Sequence, residues 1–271
     1  MSTLAFWKMH GAGNDFILVD DRGETFPTDR NDWIASISRR NFGVGSEGVI
    51  LIQPSAEHDF RMRFFNPDGG EVEMCGNGAR CVARLASEIG AAGSDMRFDT
   101  VAGPIGASVS DGIVRLDMTP PFDWVLNGSI EIDGETRTYH QVNTGVPHVV
   151  MQVDDAETID LVKLGAAIRY HEAFAPAGTN ANFISLLGED HLRVRTYERG
   201  VEAETPACGT GMVACGLIAG KLGLAESPVK ITCTGGDVLE IGFDLTDDGA
   251  ENVTLTGGAT HVFKGEVALP G

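Results

Sequence analysis

The sequence predicts an α/β chain of the α+β type, built as two similar halves, each a curled, mostly antiparallel sheet around one central helix. Three observations carry this reading. Strand signals outnumber helix signals along the chain. Two segments, Cys75-Gly76-Asn77-Gly78 and Cys208-Gly209-Thr210-Gly211, each open a run of small and apolar residues. Each run stops at a glycine, Gly90 or Gly223, suited to the left-handed turn that ends a helix. Finally, landmarks recur in register. Gly45 and Gly178 each precede their cysteine by 30 residues, Gly13 and Gly145 by 62 and 63, and Glu71 and Glu204 by four. Repetition of this kind marks two copies of one structural unit.

The elements follow in order. Leu4–Met9 and Phe16–Val19 read as strands flanking a glycine turn. A helix is expected near Asp29–Arg40, then an apolar strand at 48–52 (GVILI). Asp59–Phe65 alternates polar and apolar residues, as a half-buried strand does. The first central helix runs from Cys75 to about Gly90. Ser110-Asp111-Gly112 and Asp133-Gly134 signal hairpins, and Asn127-Gly128 reads as a further turn. Thr119-Pro120-Pro121 interrupts strand pairing and sets the expected boundary. Residues 1–118 with 261–271 would form the N-terminal domain, carrying Cys75; residues 119–260 would form the C-terminal domain, carrying Cys208. Strands at 148–154 (HVVMQVD) and 181–187 (ANFISLL), a helix from Thr158 to about Tyr170, and the second central helix from Cys208 to about Gly223 complete the second half.

Composition narrows the function. Of 271 residues, 42% are hydrophobic and 22% charged, enough apolar content to bury a core and too much for a disordered chain. The formal charge of −19 repels nucleic acid and anionic membranes, so neither is an expected partner. No apolar run reaches the ~18–20 residues of a membrane span. The N-terminal residues lack a signal-peptide core, so a cytoplasmic protein is expected. Five cysteines, an odd number with no CxxC pair, argue against a disulfide scaffold and a zinc ribbon. His10, His58, His140, His171, His191 and His261 show no metal-ligand spacing, and no metal is expected. Residues Gly43 to Gly48 fit GxGxxG literally, but a helix precedes them and a strand follows, the reverse of a dinucleotide fingerprint.

The chemistry is carried by Cys75 and Cys208. Each is delivered by a loop to a helix N-terminus, where unpaired backbone N–H groups can hold a carboxylate and the dipole favours a thiolate. The dipole lowers a thiol by about one pKa unit at most, so most stabilisation must come from donors aimed at the carboxylate as its α-proton leaves. Inverting a carbon–hydrogen stereocentre needs a base on one face and an acid on the other, and paired thiols supply both. One such cysteine is more often a packed core residue; two at matched positions favour function. Cys81 and Cys215, about two turns further along their helices, and Cys233 are assigned to packing.

KMHGAGNDFILVD (8–20), FNPDGGEVEMCGNGARC (65–81), TGVPH (144–148), TNANF (179–183), YERGVEAETPACGTG (197–211) and TGGATHVFKGE (256–266) together resemble the diaminopimelate epimerase family. The resemblance implies a cofactor-independent isomerase that interconverts LL- and meso-diaminopimelate, in lysine and peptidoglycan precursor biosynthesis, with its site in the cleft between two domains. It gives the acid and base roles to Cys75 and Cys208. Backbone at Gly76, Asn77, Gly209 and Thr210 would hold the reacting carboxylate. Asn14, Asn66, Asn180, Glu198 and Arg199 would contact the substrate, and His148 and Glu198 would modulate the thiols. A planar arginine fork suits the distal carboxylate. The small-molecule substrate is the expected partner, and a homodimer stays open.

The chain departs from the family pattern at two places. Val146 stands where many members have an asparagine ligand, and Gly48 where some have a glutamine. Backbone, water, Asn143 or Asn182 are the candidates to replace these contacts. Two rival functions also stand. A proline or hydroxyproline racemase-type enzyme uses paired cysteines too, but usually has His where this chain has Asn77. A non-catalytic amino-acid-binding protein would need no second thiol.

Overall fold

A computed structural model describes residues 2–270. In chain order its elements are β1 (Thr3–Gly11), β2 (Asn14–Asp20), α1 (Asn31–Ser38), β3 (Val49–Gln53), β4 (Phe60–Phe65), β5 (Glu71–Val72), α2 (Gly76–Glu88), β6 (Asp95–Thr100), β7 (Gly103–Ser110), β8 (Ile113–Asp117), β9 (Phe122–Ile132), β10 (Glu135–Asn143), β11 (Pro147–Gln152), α3 (Leu161–Arg169), β12 (Asn180–Gly188), β13 (His191–Glu198), β14 (Ala203–Glu204), α4 (Gly209–Lys221), β15 (Val229–Thr232), β16 (Val238–Leu245), β17 (Ala250–Gly258) and β18 (Thr260–Ala268). The chain divides into two compact units. One comprises the residues up to Leu116 together with those from Gly257 onward; the other is Asp117–Thr256. The fold is α+β and dominated by sheet.

In the first unit β1 pairs antiparallel with both β18 and β2, and β2 runs parallel to β3. β3 pairs antiparallel with β4, β4 antiparallel with β5 and parallel with β6, and β6–β7–β8 form an antiparallel meander. The second unit repeats this grammar. β9, β10 and β11 pair antiparallel, and β11 runs parallel to β12. β12 pairs antiparallel with β13, β13 antiparallel with β14 and parallel with β15, and β15–β16–β17 form the meander. The two parallel steps fall at the same points in both units. Each parallel step is bridged by a connection carrying a helix or a central cysteine, because parallel neighbours cannot be joined by a tight turn.

The repeated glycines have a common cause. Gly13, Gly45, Gly145 and Gly178 all take positive φ, at 81°, 77°, 110° and 65°, just before β2, β3, β11 and β12. An L side chain is disfavoured there, so the turn into each strand keeps its glycine. The hairpins at Asp111-Gly112 and Asp133-Gly134 are two-residue turns with positive φ at both positions, the geometry that matches strand twist. Asn127-Gly128 is different from its reading as a turn. Asn127 takes φ 56° inside β9, where the register against β10 shifts, and the pair forms a bulge. Gly128 lies over the Tyr139 ring, which a Cβ would meet at 2.6 Å.

The central helices α2 and α4 are buried on nearly every side of their first three turns. α4 is small and apolar almost throughout, whereas α2 keeps a polar stripe of Asn77, Arg80, Arg84 and Glu88 whose members pair with one another. α2 packs on β1, β2, β3 and β7, and α4 on β10 to β13, β15 and β16, so each sheet curls around its helix. The shorter helices cover the outer faces. Trp33, Ile34 and Ile37 of α1 pack with Phe26, Val49, Leu51 and Phe65. In α3, Asp160 accepts a bond from the Lys163 N–H as an N-cap, and Leu161 and Ile168 join Phe183 and Tyr197. α3 ends at Arg169 and starts at Leu161, three residues inside the expected start, because a short 3-10 turn occupies Ala156–Thr158.

Among the described residues, no helix is long and apolar enough to cross a membrane. No group of three His, Cys, Asp or Glu among them is placed to hold a metal.

Candidate active site

Both cysteines singled out from the sequence occupy the N-cap position of a central helix. Cys75 has extended backbone (φ −140°, ψ 121°) before α2, and Cys208 the same (φ −109°, ψ 105°) before α4. Neither cysteine side chain makes a capping hydrogen bond to that first turn. The amides of that turn point along the axis toward the cysteine, and the helix dipole makes the spot favourable for an anion. The other thiols are different. Burial pushes the Cys81 thiol up to about 12 and the Cys215 thiol well above its ordinary value. Cys233 is buried and donates to the Asp237 carbonyl.

The approach to each cysteine is built alike. In the first unit Arg63 of β4 donates through Nε and Nη2 to the two oxygens of Glu71, at 2.8 and 2.7 Å. In the second, Arg195 of β13 does the same to Glu204, at 2.8 and 2.7 Å. These fork-to-carboxylate pairs clamp the two-residue strands β5 and β14 through glutamates that each lie four residues before a cysteine. The arginines hold both carboxyls below the usual range.

In the first unit Asn66 starts the loop that leads to Cys75. Its N–H donates to the Gly70 carbonyl and its carbonyl accepts from Gly69, at 2.8 and 2.9 Å. Asn77 lies in the first turn of α2, nearly inaccessible, and its Oδ1 accepts from Arg80 at 3.1 Å. Asn14 opens β2, and its Oδ1 is buried without a hydrogen-bond partner. Beside it, Asp15 accepts from Arg40 at 2.6 Å and pairs with the buried Lys8. Burial opposes ionisation of Asp15, but these two cations hold its carboxyl below the usual range. Sequence reading missed this Lys8–Asp15–Arg40 group, although Lys8 and Asp15 lie in one motif.

In the second unit Gly209 and Thr210 form the first turn of α4, and the Thr210 carbonyl accepts from Thr144 at 2.9 Å. His148 is fully buried. Its Nε2 lies 3.0 Å from Thr210 Oγ1, and that hydroxyl lies 3.6 Å from Cys208 Sγ. Burial, together with the nearby Arg199 charge, pushes the His148 imidazole down to about 3, so it is neutral. Asn180 donates to the Pro147 carbonyl at 3.0 Å and accepts from the Arg199 N–H at 2.8 Å. It thereby ties the start of β12 to the turn that carries Arg199, whose Nη1 donates to the Ala177 carbonyl at 3.2 Å. Glu198 accepts from Thr205 Oγ1 at 2.7 Å. The structure thus places His148 and Thr210 at the Cys208 end of α4, with the Arg199 charge near His148; Asn180 is bonded to the Arg199 backbone and Glu198 to Thr205.

The two departures from the family pattern have structural answers. At Gly48, where φ is +152°, a Cβ would meet Phe64 Cε2 and the Phe65 carbonyl at 2.5 Å each. A side chain has no room there. Val146 lends only its carbonyl, to Thr144 N at 3.2 Å. Of the expected substitutes, Asn143 spends its Oδ1 on the Gly145 N–H at 3.0 Å. Asn182 is fully buried and its hydrogen-bonding capacity is consumed internally. Asn182 therefore cannot replace a ligand.

The family model described as diaminopimelate epimerase matches residues 6–122 and 140–262. The chain belongs to the diaminopimelate epimerase family. It is 43% identical to the diaminopimelate epimerase of Aquifex aeolicus over 98% of both chains. It is also 43% identical to that of Archaeoglobus fulgidus, over 98% of this chain and 97% of the other. The family is one of isomerases. Among solved structures, a phenazine biosynthesis protein of the PhzF family from Bacillus anthracis aligns with a TM-score of 0.74 at 16% identity, covering 99% and 100% of the two chains. A probable proline racemase from Agrobacterium radiobacter aligns with a TM-score of 0.70 at 18% identity, covering 98% and 93%. These two share the fold.

Proposed function

We propose that this protein interconverts LL- and meso-diaminopimelate, with Cys75 and Cys208 as the acid and base on opposite faces of the α-carbon. The observation that carries this reading is that two units of one topology each present a cysteine at the N-cap of the buried central helix. Family membership at 43% identity over nearly the whole chain supports the substrate. In the proposed reaction one cysteine, as thiolate, takes the α-proton. The other thiol delivers a proton from the opposite face, and the roles exchange in the reverse direction. The charge that develops on the substrate carboxylate is held by amides of Gly76, Asn77, Gly209 and Thr210, where helix dipoles add to the hydrogen bonds.

The remaining residues divide by chemistry. Asn14, with an acceptor buried and unused within the protein, suits a substrate ammonium. Asn66, Asn180, Glu198 and Arg199 contact the second amino-acid centre, with Arg199 on its carboxylate. His148 and Glu198 modulate the thiols. Each unit is then one epimerase domain, and the protein works in the cytoplasm.

The test is α-proton exchange. LL-diaminopimelate incubated with the protein in D2O should gain one deuterium at the inverted centre as the meso isomer forms. Cys75→Ala and Cys208→Ala should each abolish inversion while circular dichroism stays that of the parent. Full turnover in either variant rejects the two-thiol reading, and inversion of proline in preference to diaminopimelate rejects the substrate.

A further inference from the structure

We propose that Asn182 and Thr196 are positioning residues that fix the direction of a hydrogen-bond chain ending as a donor on the Cys208 sulfur. The inference rests on the reading of Cys208 as an acid–base residue, and it extends to two residues that no part of that reading uses.

The direction follows from the partners. Asn182 sits on β12 with no exposure. One of its side-chain atoms lies 2.8 Å from the Val149 carbonyl, which only accepts, so that atom is the amide nitrogen, Nδ2. The amide oxygen then faces Thr196 on β13, and the Thr196 hydroxyl donates to it at 2.9 Å. With the amide set, the second hydrogen of Nδ2 points at His148 Nδ1, 3.2 Å away. Nδ1 must accept. A neutral imidazole that accepts at Nδ1 carries its proton on Nε2. Nε2 therefore donates to Thr210 Oγ1 at 3.0 Å. The Thr210 oxygen is engaged as an acceptor, and its own hydrogen is available for Cys208 Sγ at 3.6 Å.

Every link thus passes its donor one step toward the cysteine, from Thr196 through Asn182, His148 and Thr210. A chain of aligned hydrogen bonds polarises its last member, which strengthens the bond to a thiolate. Burial keeps His148 neutral, so it relays a hydrogen bond and does not compete for the substrate proton. Gly211 permits the approach. A Cβ on it would lie 2.6 Å from Asn182 Oδ1 and 3.3 Å from both Cys208 Cβ and His148 Cε1. Among the charged and titratable groups near the chain, Arg199 acts on His148, and Cys215 acts with Cys208 along α4.

The test reads Cys208 by itself. The rate of its alkylation by iodoacetamide is followed against pH by peptide mass spectrometry, with Cys75 in the other unit as internal reference. Thr196→Val removes the hydroxyl that holds the amide and keeps the shape. It should move the Cys208 midpoint up by about one pH unit, and Thr196→Ser should return it to the parental position. Thr210→Val, at the last link, should move it at least as far. The Cys75 curve should coincide in all proteins.

If Thr196→Val does not fold, Thr196→Ala, which also lacks the hydroxyl, takes its place beside Thr210→Val. Coincident Cys208 curves in parent, Thr196→Val and Thr210→Val overturn the chain. A shift in Thr210→Val without one in Thr196→Val overturns the role of Thr196 and Asn182. A shift that Thr196→Ser does not reverse also overturns it, because repacking then explains the effect. Failure of the acid–base reading looks different: Cys208→Ala would keep inverting the substrate while the alkylation curves still moved.

Discussion

Arg195 holds both carboxylate oxygens of Glu204, and Glu204 lies four residues before Cys208. The pair is 15% and 24% exposed, so it is neither a surface ion pair nor a fully desolvated one. Its contribution belongs between those limits, about 1–2 kcal/mol. Because Arg195 lowers the folded-state pKa of Glu204, the stabilisation is complete above the ordinary glutamate range and fades as pH falls through and below it. Glu204→Gln should therefore cost stability in urea unfolding at pH 7, and the difference between parent and variant should be smaller at pH 3. A difference of equal size at both pH values would show that the clamp acts through shape alone.

The first-turn glycines of the two central helices should not be equivalent. An added methyl at Gly78 would meet the end of the Ile50 side chain at 2.6 Å, a flexible apolar group. The overpacking cost is partly offset by alanine's better helix propensity, leaving ~0–2 kcal/mol. At Gly211 the methyl would meet the Asn182 amide oxygen, which is pinned by Thr196. Moving it breaks buried hydrogen bonds, so ~2–4 kcal/mol is expected. Calorimetric melting of the two alanine variants should show Gly211→Ala well below Gly78→Ala. Equal losses would contradict the packing described around Asn182.

His148 gives the second unit an acid sensitivity. Its folded-state value is about 3 against an ordinary 6.5. Between these limits the unfolded chain binds a proton that the folded chain refuses. Stability therefore rises with pH across this window and falls as pH drops below about 6.5, by up to ~1.4 kcal/mol per unit. His148→Gln removes the site from both states. Proton uptake on unfolding at pH 5, measured by calorimetry in buffers of different ionisation enthalpy, should drop by nearly one proton in this variant. Unchanged uptake would mean that His148 is protonated in the folded protein.

Much of this was legible in the sequence, and for physical reasons. Gly13, Gly45, Gly145 and Gly178 are fixed by positive φ, so their spacing exposed the repeat. The cysteines and Glu71 and Glu204 are fixed by geometry shared between the units, so they recurred in register too. What stayed hidden was the use made of ordinary residues. Asn182 looked like a spare substrate ligand, because an asparagine's partners are set by chain segments far away in sequence, here Val149 and Thr196. Thr210 was read for its backbone, yet its hydroxyl bridges His148 and Cys208. Asn127-Gly128 has turn composition, but the long strands β9 and β10 carry pairing past it and leave only a bulge.

Substrate choice is tested best at Arg199. Diaminopimelate carries a second amino-acid centre that proline lacks, and a planar guanidinium is suited to its carboxylate. The backbone of Arg199 is held by Asn180 independently of the side chain. Replacing the side chain by methionine should therefore leave the turn in place and remove only the guanidinium. A charge-assisted hydrogen bond contributes ~1.5–3 kcal/mol, so kcat/KM for diaminopimelate in Arg199→Met should fall about tenfold to a few hundredfold. The Asn180 bond to the backbone remains and only the exposed Nη1 bond to the Ala177 carbonyl is lost, so the melting temperature should change little. The change should fall on diaminopimelate specifically, with no gain or loss in any trace turnover of an amino acid that has one carboxylate. If Arg199→Met processes diaminopimelate as well as the parent, the distal carboxylate is read by another group, and the assignment of Arg199 fails while the paired-thiol chemistry stands.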